Sequence, residues 1–250
     1  MSSQHNALVV FGSGPGIGRN VAALFAERGF SKVILLSRDA TRLKEDANFV
    51  RSARAGVSVT PVTIDLADTE NVRKALKSID TELGETPLEA VLFNAARVGQ
   101  SQILEFPAES VEVDLRISVV SLYIVAQWAL PKLASFASSN PSSTPSFLVT
   151  SGGLYKNPYP SFFSLASCKA AQYNLTNSLH KEFEPKGVHC ALIVVQGIVA
   201  DESKVTNARN IAEEAWKLRG DPRGEGRLDV VMTDPDYVRR MKDREEASKS

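Results

Sequence analysis

Short, near-continuous apolar runs recur along this chain, each followed by a stretch with helical spacing, and this alternation constrains the fold more than any other feature. The runs are "ALVVFG", "KVILLSR", "VSVTPVTID", "LEAVLFNAA", "SFLVTSGG" and "GVHCALIVVQG". Successive positions are apolar, where a half-exposed strand would alternate. Strands of this kind need cover on both faces, as in a parallel sheet flanked by helices. Between them lie "NVAALFAERGF", ending near Gly29, and "ATRLKEDANFVRSARAG", closed by Gly56. "DTENVRKALKSIDTELG" follows with Asp68 or Thr69 as its cap, then one long helix from "PAESVEV" to "KLASF", and another over residues 161–184. No composition break divides the chain. The pattern predicts one α/β domain over residues 1–250, a doubly wound parallel sheet with helices on both faces and a core over about 7–200. Beyond residue 200 the pattern weakens to a short helix, "NARNIAEEAWKLRG", and a highly charged tail, part of it loosely ordered.

Composition excludes several function classes. A formal net charge of +0 over 250 residues points to no nucleic-acid and no anionic-membrane partner. Cys168 and Cys190 are too few for a disulfide framework, and with His5, His180 and His189 they lack metal-ligand spacing, so no metal is expected. The start carries no signal-peptide pattern, and no apolar run is read as reaching the length of a membrane span. A soluble cytoplasmic protein is the expectation.

"FGSGPGIGRN" joins the first strand to the first helix. Gly12, Gly16 and Gly18 stand in a G-x-x-x-G-x-G pattern, with Ser13 and Ile17 between them. Glycines allow a tight turn and let a pyrophosphate approach the backbone, and the helix behind offers unpaired N–H groups and a positive dipole end. In this strand–turn–helix setting the loop predicts a Rossmann-like nucleotide site. "LLSRD" ends the second strand, where an acidic residue would bind an adenosine 2′-hydroxyl. Arg38 stands there instead. A guanidinium pairs with a 2′-phosphate in a forked geometry, which favours NADP(H) over NAD(H), although Asp39 follows directly.

From about residue 7 to 200 these features, with others, resemble the short-chain dehydrogenase/reductase family. "TIDLAD" is similar to the family's adenine-binding turn and implies that role for Asp65 and Leu66. "FNAA", with Asn94, Ala95 and Ala96, resembles the "NNAG" turn beside the cofactor, and "QWALPKL" the end of the fifth helix. "KAAQYNLTNSLHKEFEPKGVHCALIVVQG" resembles the stretch from the catalytic lysine to the loop after the sixth strand. It places Lys169 on the nicotinamide ribose and Gly197 and Val199 against the cofactor. The resemblance implies an NAD(P)-dependent oxidoreductase of a small-molecule substrate, assembled as a homodimer or homotetramer, with a substrate lid from residues 199–215.

The family's reacting set is Asn, Ser, Tyr and Lys, with the tyrosine four residues before the lysine. Here that position is Leu165, the Asn position is Ser118, the Ser position falls at Gly152 or Ser151, and the family's Pro-Gly is Gln196-Gly197. A general acid or base contributes about 10² to 10⁴ in rate, roughly 3 to 5 kcal/mol of barrier. Leucine contributes none of this. The catalytic candidates are therefore Lys169, Ser151 and a tyrosine of "TSGGLYKNPYP", Tyr155 first and Tyr159 second; Tyr173 falls on the far side. "SFFSLASCKAA" and "IAEEAWKL" further resemble a divergent branch of the family without the tyrosine motif. The reading is an atypical NADP(H)-dependent reductase of a carbonyl or imine. A cofactor-binding protein without redox activity, and a non-redox cyclase or isomerase, stand as alternatives.

Overall fold

The first apolar run forms β1 (Ala7–Phe11), every residue of which is buried. In the computed structural model, which describes residues 6–237 and 239, β1 lies inside a seven-stranded sheet, between β2 and the central strand β4. His5 and the charged tail from residue 240 lie outside the described residues. The other strands are β2 (Lys32–Ser37), β3 (Ser58–Thr63), β4 (Leu88–Phe93), β5 (Ser146–Gly152), β6 (His189–Gln196) and β7 (Asp229–Thr233). Their order is β3-β2-β1-β4-β5-β6-β7, and all pairs are parallel. Val9 stands in register between Ile34 and Val91. The doubly wound α/β fold expected from the alternation is the one observed.

The sheet separates two cores. On one face Leu8 and Val10 meet α1 (Ile17–Glu27), α2 (Ala40–Ala53) and α7 (Ala208–Arg219), through Leu24, Leu43 and Ile211. On the other, Val9 and Phe11 meet α3 (Thr69–Leu83) and α5 (Ser121–Ser139), through Ile79 and Val125, with α6 (Phe163–Phe183) packed alongside. Side chains leaving a central strand in both directions are thus buried in both directions, which is why these strands read as unbroken apolar runs. Pro61 stands in register with Leu35 on β3, an edge strand, where its missing N–H is tolerated.

Local chemistry sets several boundaries. Asp39 caps α2 by accepting from the N–H groups of Thr41 and Arg42, and Asp68, not Thr69, caps α3 through Glu70 and Asn71. The α2 helix ends at Ala53, ahead of Gly56, which takes φ +81° in the turn that follows.

Four expectations need correction or refinement. A seventh strand, β7, was not read; it is short, lies on the edge and leaves Val231 exposed. The single long helix is two, α4 (Ala108–Leu115) and α5, joined by a π-helical turn at Arg116–Val120. Together Ala108–Ser139 form a 32-residue run of mean hydropathy 1.4, long and apolar enough to cross a membrane by length and composition, contrary to the sequence reading. In the fold it packs against the sheet as a core helix, through Leu122, Val125 and Leu133. Finally, of the expected lid, residues 208–215 belong to α7 and bury Ile211, Ala212 and Ala215 in the core.

Candidate functional site

The strand order reverses between β1 and β4, and in such sheets a crevice opens at the carboxyl ends of the two strands. The glycine loop lies there. Gly12 has φ +93°, and a Cβ on it would sit 2.7 Å from the Ala95 nitrogen. A Cβ on Gly18 would sit 2.6 Å from the Gly12 carbonyl oxygen. Both positions therefore exclude a side chain for packing reasons. Gly16 caps α1 with no side-chain hydrogen bond and with no acidic residue in the first turn. Backbone N–H groups at such an end suit an anion. Asn94 clamps the turn: its Nδ2 donates to the Gly12 carbonyl at 2.8 Å, and its Oδ1 accepts from Thr150 Oγ1 at 2.8 Å.

On the β2 side, Arg38 is exposed beyond the strand end. The Asp39 carboxylate accepts from Thr41 N and Arg42 N, both at 3.0 Å, and the Arg42 N–H bond leads in holding its pKa below the usual aspartate value. Its capping duty commits this carboxylate to α2. Sequence reasoning missed two residues here. Asp46 is fully buried and accepts from Ser13 Oγ at 2.7 Å, and Arg19 approaches it at 3.6 Å with its guanidinium 4.7 Å above the Phe49 ring. The signal was available: Leu43, Asp46, Ala47 and Val50 share one helical stripe, so the spacing puts Asp46 on the buried face. After β3, Asp65 is exposed and accepts from Ala67 N at 2.9 Å, while the carbonyl of buried Leu66 accepts from Ser121 Oγ at 2.7 Å.

Beyond the glycine turn lies a cleft of about 620 Å³. It brings together Ile17, Asn94, Ala96, Ser151, Lys169, Gly197 and Val199 of the expected residues. Val199 also reaches to 4.0 Å from where a Gly16 Cβ would stand, so it touches both the cleft and the loop. Lys169 is the one charged side chain on this wall among the described residues. Its Nζ donates to the Thr150 carbonyl at 3.0 Å and to Gln172 Oε1 at 2.9 Å, with no carboxylate partner among the described residues. Burial brings its pKa down from 10.5 to about 8. Leu165 lies one turn earlier on α6 and also faces the cleft. The buried Ser151 hydroxyl has no hydrogen-bond partner among the described residues.

The tyrosines divide differently from the sequence expectation. Tyr155 does not line the cleft; its ring stacks on Tyr173 at 4.3 Å and 6°. Tyr173 in turn donates to Asp229 at 2.7 Å. Tyr159 does line it, together with Tyr237, which sequence reasoning did not single out. The Tyr237 hydroxyl lies 3.0 Å from where a Gly153 Cβ would stand, and burial, then the Tyr159 phenol, push its pKa up. Nothing in the sequence near Tyr237 marks it, because β7 carries it to the cleft. His180 and His189 hold the backbone carbonyls of Cys190 and Arg227, and Cys168 and Cys190 are buried free thiols. Among the described residues no group of three His, Cys, Asp or Glu could hold a metal. A wider groove of about 1000 Å³ opens at the other end of the strands, by Asn6, Leu88 and Ser139, but neither the glycine turn nor Lys169 reaches it.

The cradle fits a dinucleotide: a turn whose Gly12 and Gly18 leave no room for a side chain, an uncapped helix start, and further along one crevice a cation with no carboxylate partner among the described residues. The sequence model of the short chain dehydrogenase family matches residues 6–211. An uncharacterized oxidoreductase of Staphylococcus aureus (strain USA300) is 29% identical over 234 residues, covering 92% of each chain. The fold is similar to that of a metagenomic short-chain oxidoreductase in complex with NADP, with TM-score 0.78 and 17% identity over 93% of this chain and 99% of that one. It is also similar to an NADH-dependent reductase complexed with NAD, with TM-score 0.74 and 16% identity over 92% and 96%.

Proposed function

The chain belongs to the short-chain dehydrogenase family, and from that premise we propose that it is an NADP(H)-dependent oxidoreductase reducing a carbonyl or imine-like group. The observation that carries this reading is Lys169, a buried ammonium without a counter-ion among the described residues, on the same crevice as a turn that excludes side chains at Gly12 and Gly18. Gly12, Ser13, Gly16, Ile17 and Gly18 would hold the pyrophosphate, at a helix end worth about 0.3 to 1 kcal/mol to an anion. Arg38 and Arg19 would take the 2′-phosphate, Asp65 and Leu66 the adenine, and Asn94, Ala95, Ala96, Gly197 and Val199 the nicotinamide half. Bound NADPH would supply the hydride.

The chain's own residues orient the acceptor and deliver the proton. Lys169 binds the ribose hydroxyls and favours negative charge developing on the substrate oxygen. Ser151 donates a hydrogen bond to that oxygen, which gives its buried hydroxyl a partner. Leu165 occupies the place of the family's tyrosine, so the site lacks that phenol. A phenol on the cleft wall replaces it, and Tyr159 takes the role expected of Tyr155, whose ring is committed to Tyr173. The wall of Leu165, Leu154 and Phe162 excludes water and suits an apolar substrate. We extend the reading to a cytoplasmic homodimer or homotetramer, the assembly supported by exposed Val120 in the π-helical turn and Tyr123 on α5.

The test is NADPH oxidation by the wild-type chain and by Lys169→Ala over a panel of aldehydes, ketones and imines. Turnover that the substitution abolishes supports the reading; no turnover in either protein sinks it. Leu165 favours a second reading, cofactor binding without redox chemistry or a shape-driven isomerisation, because a leucine transfers no proton. Tight NADPH binding with no hydride transfer would support that one.

A further inference from the structure

We propose that Gln172 is a positioning residue for Lys169: its buried amide holds the ammonium with a neutral acceptor and is itself anchored on the π-helical turn, leaving the lysine's charge uncompensated toward the cleft. Gln172 is fully buried and stands three residues after Lys169, on the same face of α6. Its Oε1 accepts from Lys169 Nζ at 2.9 Å, and its Nε2 donates to the Ser118 carbonyl at 2.8 Å. These neighbours fix the amide in one orientation, since an ammonium only donates and a carbonyl only accepts. Ser118 lies within the π-helical turn Arg116–Val120, which offers its carbonyl to α6.

The bridge is the last link of a hydrogen-bonded chain. From the Gly12 carbonyl it runs through Asn94 to the hydroxyl of Thr150, and the Thr150 carbonyl accepts from Lys169. The glycine turn, the cleft cation and the long helix are thereby set relative to one another.

The choice of an amide has a consequence that neither alternative shares. A glutamate would neutralise Lys169 and turn an oxygen against the Ser118 carbonyl. An apolar residue would leave the ammonium with the Thr150 carbonyl alone. Other titratable groups around the lysine are Cys168 on α6 and the cleft phenols Tyr159 and Tyr237. Asp114 and Arg97 face Cys168 and are occupied with each other in a two-bond pair.

The inference rests on Lys169 facing a ligand, so its test is made on the full chain without ligand, and the ligand is tested beside it. Trace acetylation with acetic anhydride across pH, read at Lys169 by mass spectrometry, gives the titration of that amine. In the wild-type chain its midpoint is expected near 8. Gln172→Glu should raise it by about one pH unit or more, slowing labelling at neutral pH about tenfold. Gln172→Met should lower it and speed labelling. Circular dichroism melts establish that each variant folds; if Gln172→Met does not, Gln172→Glu decides, because it keeps the shape. An unchanged Lys169 titration in the folded variants overturns the inference. NADPH affinity of the wild type, measured in parallel, separates the two ideas: a shifted titration without NADPH binding leaves Gln172 in its role and removes the cofactor reading.

Discussion

The side-chain amide of Asn94 donates to the Gly12 carbonyl at 2.8 Å and so ties the end of β4 to the glycine turn after β1. The same side chain accepts from Thr150, so three strand ends share one partly buried group. Replacing Asn94 by leucine leaves the Gly12 carbonyl and the Thr150 hydroxyl without partners. The expected cost is about 1 to 3 kcal/mol of stability, read as a lower denaturant midpoint at unchanged slope, with weaker dinucleotide binding. An unchanged midpoint would mean that water takes over both bonds.

Two glycines of one loop should respond oppositely. At Gly18 a Cβ would meet the Gly12 carbonyl at 2.6 Å, whereas at Gly14 nothing lies within 4 Å. Gly18→Ala should cost about 1 to 3 kcal/mol and weaken nucleotide binding. Gly14→Ala should fall within about 0.5 kcal/mol of the parent. Thermal melts of the pair check the close approach with an internal control.

Lys169 sets a pH dependence of stability. Its ammonium is buried without a counter-ion among the described residues, and its pKa falls from 10.5 to about 8. Below pH 8 the amine is charged in the folded and the unfolded chain, and folding carries the full desolvation cost. Between 8 and 10.5 the folded chain has lost the proton and the unfolded chain keeps it, so stability rises with pH across this window. Lys169→Met removes that rise and should stabilise the protein at pH 7 by about 1 to 3 kcal/mol, while weakening the ligand that the charge serves. Denaturant titrations at pH 7 and 9.5 (about the middle of the window) compare the two proteins. Equal slopes with pH would show that the lysine does not titrate there.

Arg38 is exposed at the end of β2, and the carboxylate beside it is held by the α2 cap. Arg38→Ala should weaken NADPH binding about tenfold, the order of one charge-assisted contact, and leave NADH binding unchanged. A parallel loss for both cofactors would place the arginine elsewhere than at the 2′-phosphate.

Much of the fold was legible because buried parallel strands impose an unmistakable pattern: β1, β4 and β6 read as apolar runs since helices cover both their faces. The same logic explains why β7 was not. At the edge, with Val231 exposed and charged residues around it, it presents no such run. The π-helical turn was invisible because one residue of extra winding leaves the apolar spacing of a long helix almost unchanged. Of the residues gathered at the crevice, the glycine spacing pointed to Gly12 and Gly18, and the family resemblance pointed to Asn94 and Lys169. Gln172 and Tyr237 were not found, since their roles come from partners far along the chain, the Ser118 carbonyl and the Gly153 turn. Tyr155 shows the converse: it stands in the loop that brings Tyr159 to the cleft, but its own ring is turned onto Tyr173.

The central claim is that this crevice holds NADP(H). Calorimetric titration of the full chain with NADPH and with NADH tests it most directly. The account predicts saturable NADPH binding near the micromolar range, about −8 kcal/mol, with markedly weaker NADH binding. Binding of neither cofactor would contradict it, and would leave the glycine turn and Lys169 as parts of a scaffold without its nucleotide.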